Sequence, residues 1–162
     1  RSSDLEWRKE VLEMIRERSD CSFYCITKRP ERIEQCIGDF SAYPNLIISC
    51  TMENQKRFDE RAPIYLNLPL KHKEITIEPM LSRVDMSSYI SKIDAVSVGG
   101  ESGEEARLLD FEWVKEIREQ CKKAQVSFYF HQTGALIRVD GKIYRIPRSL
   151  QHSQAAKAFA DQ

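Results

Sequence analysis

The sequence predicts an α/β fold, a partial (β/α) TIM-like barrel of about five parallel strands with flanking helices plus a C-terminal β-hairpin. Short β-rich runs alternate with amphipathic helical segments along the chain, and this alternation implies parallel strands joined by right-handed crossovers. The first strand is followed by Lys28-Arg29-Pro30 rather than by the G-x-G-x-x-G turn of a dinucleotide-binding sheet. We therefore favour an unclosed arc of a barrel over an open doubly wound sheet.

The strands are predicted where β-branched and aromatic residues form a short run between turn residues. Tyr43-Pro44-Asn45 precedes the second strand, Pro79 ends the third, and Gly99-Gly100 stops the fourth. The predicted strands are residues 23–27, 46–50, 74–78, 93–98 and 126–130.

The first helix is predicted from a capping box, in which Ser3 and Glu6 each satisfy the other's backbone donor. An apolar stripe at helical spacing follows the box and extends to about residue 18. The stripe consists of Trp7, Val11, Met14 and Ile15.

Further helices are expected between the later strands. One begins at Pro30, which suits a first helical turn, and stops at Gly38. Residues 54–67 form the next, and Pro63 is expected to split it or to start a second short helix. Asp110 caps a helix with an apolar face formed by Phe111, Val114, Ile117, Cys121 and Ala124.

The end of the chain is predicted to be a hairpin and a polar helix. Residues 135–139 and 142–146 flank Asp140-Gly141, a pair that supplies the two positive-φ positions of a type I′ turn. The helix begins at about Ser149. We divide the protein into a partial βα barrel over residues 1–134 and a hairpin with C-terminal helix over residues 135–162, packed on the same domain.

Composition excludes several classes of protein. The 162 residues carry 25 Lys+Arg and 25 Asp+Glu, with 41% hydrophobic residues and a mean hydropathy of −0.50, which is typical of a soluble globular protein. No apolar run approaches the ~18–20 residues of a membrane span, and no signal peptide is visible. We expect a cytoplasmic protein without membrane contact. The balanced charge argues against nucleic-acid binding by bulk electrostatics.

The five cysteines, an odd number without a secretory signal, are expected to be reduced thiols. Cys21 and Cys25 have the C-x3-C spacing that opens a radical-SAM cluster motif, but Lys28 stands where the third cysteine belongs. Cys25 also falls in a predicted strand, where residues four apart lie ~13 Å from each other. We therefore predict no metal ligand and no metal cluster in this chain.

The C-terminal ends of parallel strands meet at one rim, which is where ligands bind. Each predicted strand is followed by a charged or titratable group, whereas ordinary turns precede the strands. The competing interpretation is that loops are polar in any case. The predicted ligand-binding residues are Thr27, Lys28, Arg29, Glu53, Asn54, Glu78, Gly99, Gly100, Glu101, Ser102, Arg107, His131 and Gln132, and catalytic residues stay unassigned.

Several rim residues have two interpretations. Asn54 either caps the following helix or contacts the ligand. The glycine-rich loop 99–103 either points amides at an anion or is a flexible connection. Arg107 is placed to close over a bound carboxylate or phosphate. A minor interpretation has three carboxylates holding Mg²⁺, those of Glu53, Glu78 and Glu101.

Blocks of the sequence match, in order and at compatible spacing, those of a known family. They include Ile26-Thr27-Lys28-Arg29-Pro30, Cys50-Thr51-Met52-Glu53-Asn54, Val98-Gly99-Gly100-Glu101-Ser102-Gly103 and Phe130-His131-Gln132-Thr133-Gly134. The chain resembles a phage-associated bacterial family of unknown function whose full-length members look like radical-SAM barrels. The similarity covers nearly the whole chain from Asp4 onward.

The resemblance implies that the chain, which begins at Arg1, is a C-terminal portion lacking the family's cysteine-rich segment and first strand. The full-length parent would bind S-adenosylmethionine and a 4Fe-4S cluster, whereas this chain would hold no cofactor and be inactive alone. His131 departs from the family, which usually carries Lys there. The rim residues that would contribute to a SAM or substrate pocket are Lys28, Arg29, Glu53, Glu78, Glu101 and His131.

Other functions stay open at this stage. A non-enzymatic binding or scaffold module would use the same rim for an anionic ligand, and a metal-dependent hydrolase using the three glutamates is a weaker alternative. The substrate, small or macromolecular, is not assigned. A lost neighbouring strand would leave the first strand with a bare edge. We expect another chain, as in a homo-oligomer, or the rearranged tail to cover that edge.

Overall fold

A computed structural model describes residues 2–159, with side chains from residue 6 onward. The predicted capping box at Ser3 therefore lies outside the described side chains. The α-helices are α1 (Ser2–Glu17), α2 (Ile33–Ile37), α3 (Gln55–Tyr65), α4 (Phe111–Ala124) and α5 (Gln151–Lys157). The strands are β1 (Phe23–Thr27), β2 (Leu46–Thr51), β3 (Lys73–Ile77), β4 (Ala95–Gly99), β5 (Leu109–Asp110), β6 (Ser127–Gln132), β7 (Leu136–Val139) and β8 (Lys142–Arg145).

Five strands form a parallel sheet in the order β1-β2-β3-β4-β6. Each strand lies beside the one that precedes it in this sheet, so the right-handed crossovers all place their helices on the same face. A doubly wound sheet would instead reverse direction partway. The predicted fold class is confirmed as an α/β protein with five parallel strands, flanking helices and a separate small sheet that contains the hairpin.

The two faces of the large sheet differ in chemistry. On one face Cys50, Ile75 and Val98 are fully buried and belong to one core with Phe58 of α3 and Val114 of α4. The other face, which we call the open face, presents the alternate residues of each strand. Tyr24, Ile26 and Tyr129 are 49%, 58% and 61% exposed there. The residues of the open face that line its groove include Tyr24, Ile26, Glu74, Thr76, Ser97 and Tyr129, and β2 contributes Ile47 and Ser49 to the same face.

Pro63 does not divide its helix, contrary to the prediction, because α3 continues through it to Tyr65. The last turn of α3 is held by tertiary contacts that outweigh one missing helical hydrogen bond. Ala62 and Tyr65 are fully buried. The Tyr65 hydroxyl donates to Ile48 O at 2.5 Å and accepts from the backbone N–H of Glu74 at 2.9 Å.

The apolar stripe of α1 is only partly buried. Ile15 is 2% exposed and packs in the interior, whereas Trp7, Val11 and Met14 are 65%, 47% and 45% exposed. The helix precedes β1, which forms one edge of the sheet, so it has a neighbouring crossover on one side only. None of the described helices is long and apolar enough to cross a membrane.

The tail builds a second, three-stranded sheet. The sequence missed β5, which is two residues long and pairs in parallel with β7. The hairpin β7–β8 is confirmed, with φ of 50° at Asp140 and 78° at Gly141 as a type I′ turn requires. The final helix starts two residues later than predicted, at Gln151.

The tail as far as residue 159 does not pair with the first strand, so of the two expected covers this one is not observed among the described residues. Within residues 2–159, β2 is the only strand that pairs with β1. The hairpin pairs with β5, and α5 packs against β6 at the far edge. Coverage of β1 by another chain stays a prediction.

Candidate functional site

The Glu53 carboxylate is the centre of one charged group at the C-terminal ends of the strands. It follows β2, and its two oxygens lie 2.6 Å from Lys28 Nζ and 2.7 Å from Arg61 Nη1. Arg61 also donates to Thr51 O at 2.6 Å. Burial raises the pKa of Glu53, but the bond from Lys28 and the charge of Arg61 outweigh it, so that pKa is lowered overall. This group joins β1, β2 and α3.

Arg107 closes over a carboxylate, as the sequence suggested, but the carboxylate is that of Glu101 in the same loop. Its Nε and Nη2 donate to the two Glu101 oxygens at 2.7 and 2.8 Å, and its backbone N–H adds a bond of 2.9 Å. These bonds lower the pKa of Glu101 to about 2. Both charges are thus satisfied within the chain.

Glu78, His131 and Gln132 form a third group, at the rim end of the open face. Glu78 Oε2 lies 2.9 Å from His131 Nδ1, and Gln132 Nε2 donates to Glu78 Oε1. The Glu78 side chain is 19% exposed and that of His131 is 42% exposed. Together with Tyr24 and Tyr129 these two line a groove of about 410 Å³. Of the predicted site residues, Glu78 and His131 are the two that line this groove.

A larger cavity of about 670 Å³ lies beside the opposite ends of the strands. Its wall includes Phe40, Leu46 and Leu70, together with Lys71 and His72 before β3. In parallel βα sheets the chemistry is carried by the C-terminal ends of the strands. We therefore assign the candidate site to the open-face groove, although it is the smaller of the two.

Gly99 and Gly100 are required because the chain packs closely around them. A Cβ on Gly99 would lie 2.6 Å from Glu78 Cδ, and a Cβ on Gly100 would lie 2.3 Å from Thr133 O. The backbone N–H of Gly100 donates to Gln132 O at 3.0 Å. The glycines therefore let two loops and a carboxylate approach each other, and the Gly100 amide is not free for an anion.

Other predicted residues have local structural roles. Asn54 Oδ1 accepts from the backbone N–H of Arg57 at 2.9 Å, so Asn54 caps α3. Thr27 Oγ1 accepts from the backbone N–H of Arg29 at 3.1 Å and shapes the turn after β1. These two contacts belong to the fold, and neither residue lines the groove.

A family model described as a protein of unknown function (DUF5131) matches residues 2–159. The chain belongs to the DUF5131 family. Neither the curated proteins nor the solved structures give a match. Membership covers nearly the whole chain, as the sequence blocks indicated, and the family description names no activity.

Three residues that bond to groups at the C-terminal ends of the strands of this DUF5131 member were not predicted from the sequence. Arg61 lies inside a helix and holds Glu53. Gln151 places its Oε1 2.8 Å from Ser102 Oγ, and His152 places Nδ1 3.0 Å from His131 O. A cation in the helix that follows a rim carboxylate is a signal that could have identified Arg61. The two tail residues reach the rim only through tertiary packing.

The five cysteines of the DUF5131 chain are free thiols. Cys50 and Cys121 are buried, and burial raises the pKa of each thiol to about 12. Among the described side chains, no group of three His, Cys, Asp or Glu is arranged to hold a metal ion. The carboxylates of the minor Mg²⁺ interpretation are not assembled into one site but bond to separate partners, Glu53 to Arg61, Glu78 to His131 and Glu101 to Arg107.

Proposed function

We propose that the chain is the C-terminal part of a radical-SAM-like protein of a phage-associated family, and that its open face forms one wall of a SAM or substrate pocket. In this proposal the protein is cytoplasmic, and the chain alone is inactive. The observation that carries the proposal is the open face itself. Five parallel strands in sequential order present accessible polar and aromatic side chains where a closed barrel would have its interior.

The residues present suit a sulfonium ligand better than a metal cluster. Tyr24 and Tyr129 offer aromatic faces to a cation, and Glu78 offers a carboxylate in the same groove. When bound with a cluster, S-adenosylmethionine supplies the radical chemistry, which belongs to the cofactor. These three residues would hold it or orient the substrate. The thiols do not fit a cluster, because Cys50 and Cys121 are buried in the core and, among the described side chains, the other cysteines belong to no group of three metal-ligating residues; we assign no cluster step to this chain.

Under this proposal, some of the predicted rim residues line the groove and others are bonded to partners outside it. Glu78 and His131 line the groove. Lys28 and Glu53 form a pair of their own, as Glu101 does with Arg107. In the Gly99-Gly100-Glu101 stretch, the Gly100 N–H already donates to Gln132 O and the Glu101 carboxylate already accepts from Arg107. A module for anionic ligands is supported less well, because the groove carries the carboxylates of Glu74 and Glu78 and repels an anion.

The test uses the full-length natural protein that contains this chain, purified anaerobically and reconstituted with iron and sulfide. We expect a reduced 4Fe-4S signal in electron paramagnetic resonance that changes when S-adenosylmethionine is added. Glu78→Gln should keep the cluster signal and weaken S-adenosylmethionine binding about tenfold, since one hydrogen bond to a charged group contributes about 1.5 kcal/mol. Glu60→Gln, on exposed α3, is the matched control. Absence of a cluster in the reconstituted protein would refute the radical-SAM proposal.

A further inference from the structure

We infer that Glu78 and His131 form a proton-transfer pair, in which His131 Nε2 accepts a proton from a hydroxyl or thiol group of a ligand in the open-face groove. Glu78 is the positioning residue and His131 is the residue that meets the ligand. The inference rests on the geometry of this chain and is independent of the cofactor proposal.

The Glu78 carboxylate is held in one place from three directions. His131 Nδ1 lies 2.9 Å from Oε2, and Gln132 Nε2 donates to Oε1. Gly99 lies against the carboxyl carbon so closely that a Cβ there would come within 2.6 Å of it. Two oriented hydrogen bonds and a packed backbone leave the carboxylate little freedom to rotate. The ring that it contacts is therefore fixed as well.

The buried side chain of Gln151 is linked to Gln132 through the Ser102 hydroxyl. The Ser102 hydroxyl lies 2.8 Å from Gln132 Oε1 and also 2.8 Å from Gln151 Oε1. Gln151 is 1% exposed, and its Nε2 donates to Ile146 O at 3.1 Å. Because an ionised carboxylate only accepts hydrogen bonds, Nε2 of Gln132 must face Glu78, and its Oε1 is left toward the Ser102 hydroxyl. The amide orientation is thus determined by the network rather than by the surface.

The second nitrogen of His131 is available. An ionised carboxylate only accepts hydrogen bonds, so Nδ1 carries the proton and Nε2 of the neutral ring keeps its lone pair. Among the described residues, no group is hydrogen-bonded to Nε2. The side chain is 42% exposed in the groove. Its ring is 4.7 Å from the His152 ring and 6.0 Å from that of Tyr129.

The arrangement accounts for a balanced proton transfer. The O–H or S–H bond of the ligand breaks, its electron pair stays on oxygen or sulfur, and the proton bonds to Nε2. The imidazolium that forms keeps its Nδ1–H bond to Glu78, whose negative charge stabilises it. The proton leaves later to water through the exposed groove. No oxidant or reductant is needed.

The first experiment determines the tautomer of each histidine by nitrogen-15 NMR of the isolated chain, which contains three histidines. His131 should be protonated on Nδ1 when neutral. His72 is an internal control, because its Nε2 lies at hydrogen-bond distance, 2.7 Å, from the Glu74 carboxylate, whereas its Nδ1 lies 3.7 Å from Asp94 Oδ2, which is too far for a hydrogen bond. His72 should therefore show the opposite tautomer. A neutral His131 protonated on Nε2 would overturn the inference without any variant being needed.

The second experiment measures acylation of Nε2 by diethyl pyrocarbonate, with mass spectrometry to separate the three sites. Glu78→Gln should slow labelling of His131, because the carboxylate fixes the ring orientation and raises the basicity of Nε2, and leave labelling of His72 unchanged. Glu78→Asp should fall between the two. Glu60→Gln should change neither rate. Equal labelling of His131 in the native chain and in a folded Glu78→Gln variant would refute the role of Glu78.

Both measurements use the chain without iron, sulfide or S-adenosylmethionine. A failed cluster reconstitution therefore leaves them unaffected, and a wrong tautomer at His131 leaves the cofactor proposal standing.

Discussion

Replacing Gly100 by alanine tests how tightly the rim loops are packed. The new Cβ would lie 2.3 Å from Thr133 O, 2.7 Å from Thr133 C and 2.9 Å from Gly134 Cα. All three are backbone atoms, so no flexible side chain can move aside. The loops must separate by about 1 Å to reach ordinary van der Waals contact. This movement strains the bond from Gly100 N–H to Gln132 O, 3.0 Å, and that from Ala135 N–H to Glu101 O, 2.8 Å.

The expected loss combines these effects. Overpacking costs about 1–3 kcal/mol, and two weakened backbone bonds cost about 1 kcal/mol each. We expect Gly100→Ala to lower the free energy of unfolding by about 4 kcal/mol and the melting temperature by roughly 10 °C. Urea unfolding followed by circular dichroism measures the first quantity, and a thermal scan measures the second.

Gly103→Ala is the matched control in the same loop. Gly103 has φ of 114° with nothing within 4 Å of an added Cβ, so this change costs only backbone strain, about 1–3 kcal/mol. If Gly100→Ala unfolds at the same urea concentration as Gly103→Ala, the close approach of the loops at the site does not exist as described.

Three further predictions concern the rim charges and the sheet edge. Arg61→Met should lower the free energy of unfolding by about 2–3 kcal/mol, because it leaves the Glu53 carboxylate, 12% exposed, without its more buried partner. Lys28→Met should lower it by under about 1 kcal/mol, because the Lys28 side chain is 56% exposed. Equal losses for the two variants in urea unfolding would contradict this ranking. The folded pKa of Glu101, about 2, lies below its ordinary 4.5, so its ionised form stabilises the fold above pH 4.5 and that contribution is lost as pH falls toward 2. Between pH 4.5 and 2 the free energy of unfolding of Glu101→Gln should therefore fall less than that of the native chain, as measured by urea unfolding at each pH. Equal falls for the two proteins would contradict this role of Glu101. On the edge strand β1, Ile26 is 58% exposed, and Ile26→Lys should reduce self-association in sedimentation velocity. A native chain that stays monomeric at every concentration would rule out association through this edge.

The parts of the fold that depend on local signals were predictable from the sequence. Strand positions, the Asp140-Gly141 turn and the Asp110 cap follow from residues within a few positions of each other. Pro63 was misjudged because a tertiary contact decides it, namely the bonds of the Tyr65 hydroxyl to β2 and β3. The two-residue strand β5 has too little sequence to show a pattern and exists because β7 lies beside it.

At the candidate site, too, the positions of the residues along the chain were predictable and their tertiary partners were not. The sequence predicts that Glu53, Glu78, Glu101 and His131 follow strands; the structure has the three glutamates there, whereas His131 lies inside the end of β6. The partner of each was not visible, because the bonded residues lie between 6 and 54 positions apart along the chain, from Glu101–Arg107 to Glu78–Gln132. The three carboxylates therefore have different partners. Two carboxylates are neutralised by arginines, and a third orients a histidine in the groove.

The chemistry of the open face is what distinguishes a binding surface from an unfinished core. The interior of a closed βα barrel is filled mainly by bulky branched side chains, and an exposed remnant of such a core would display valine, leucine and isoleucine. Among the described residues of the open face, Ile26 and Ile47 are branched aliphatic, whereas Tyr24, Glu74, Ser97 and Tyr129 carry polar or aromatic groups. Burying Glu74 and Ser97 under an apolar cover would leave their polar groups without water. The surface that completes this groove must therefore be polar or carry a polar ligand, which is the environment that a proton-transfer pair at Glu78 and His131 requires.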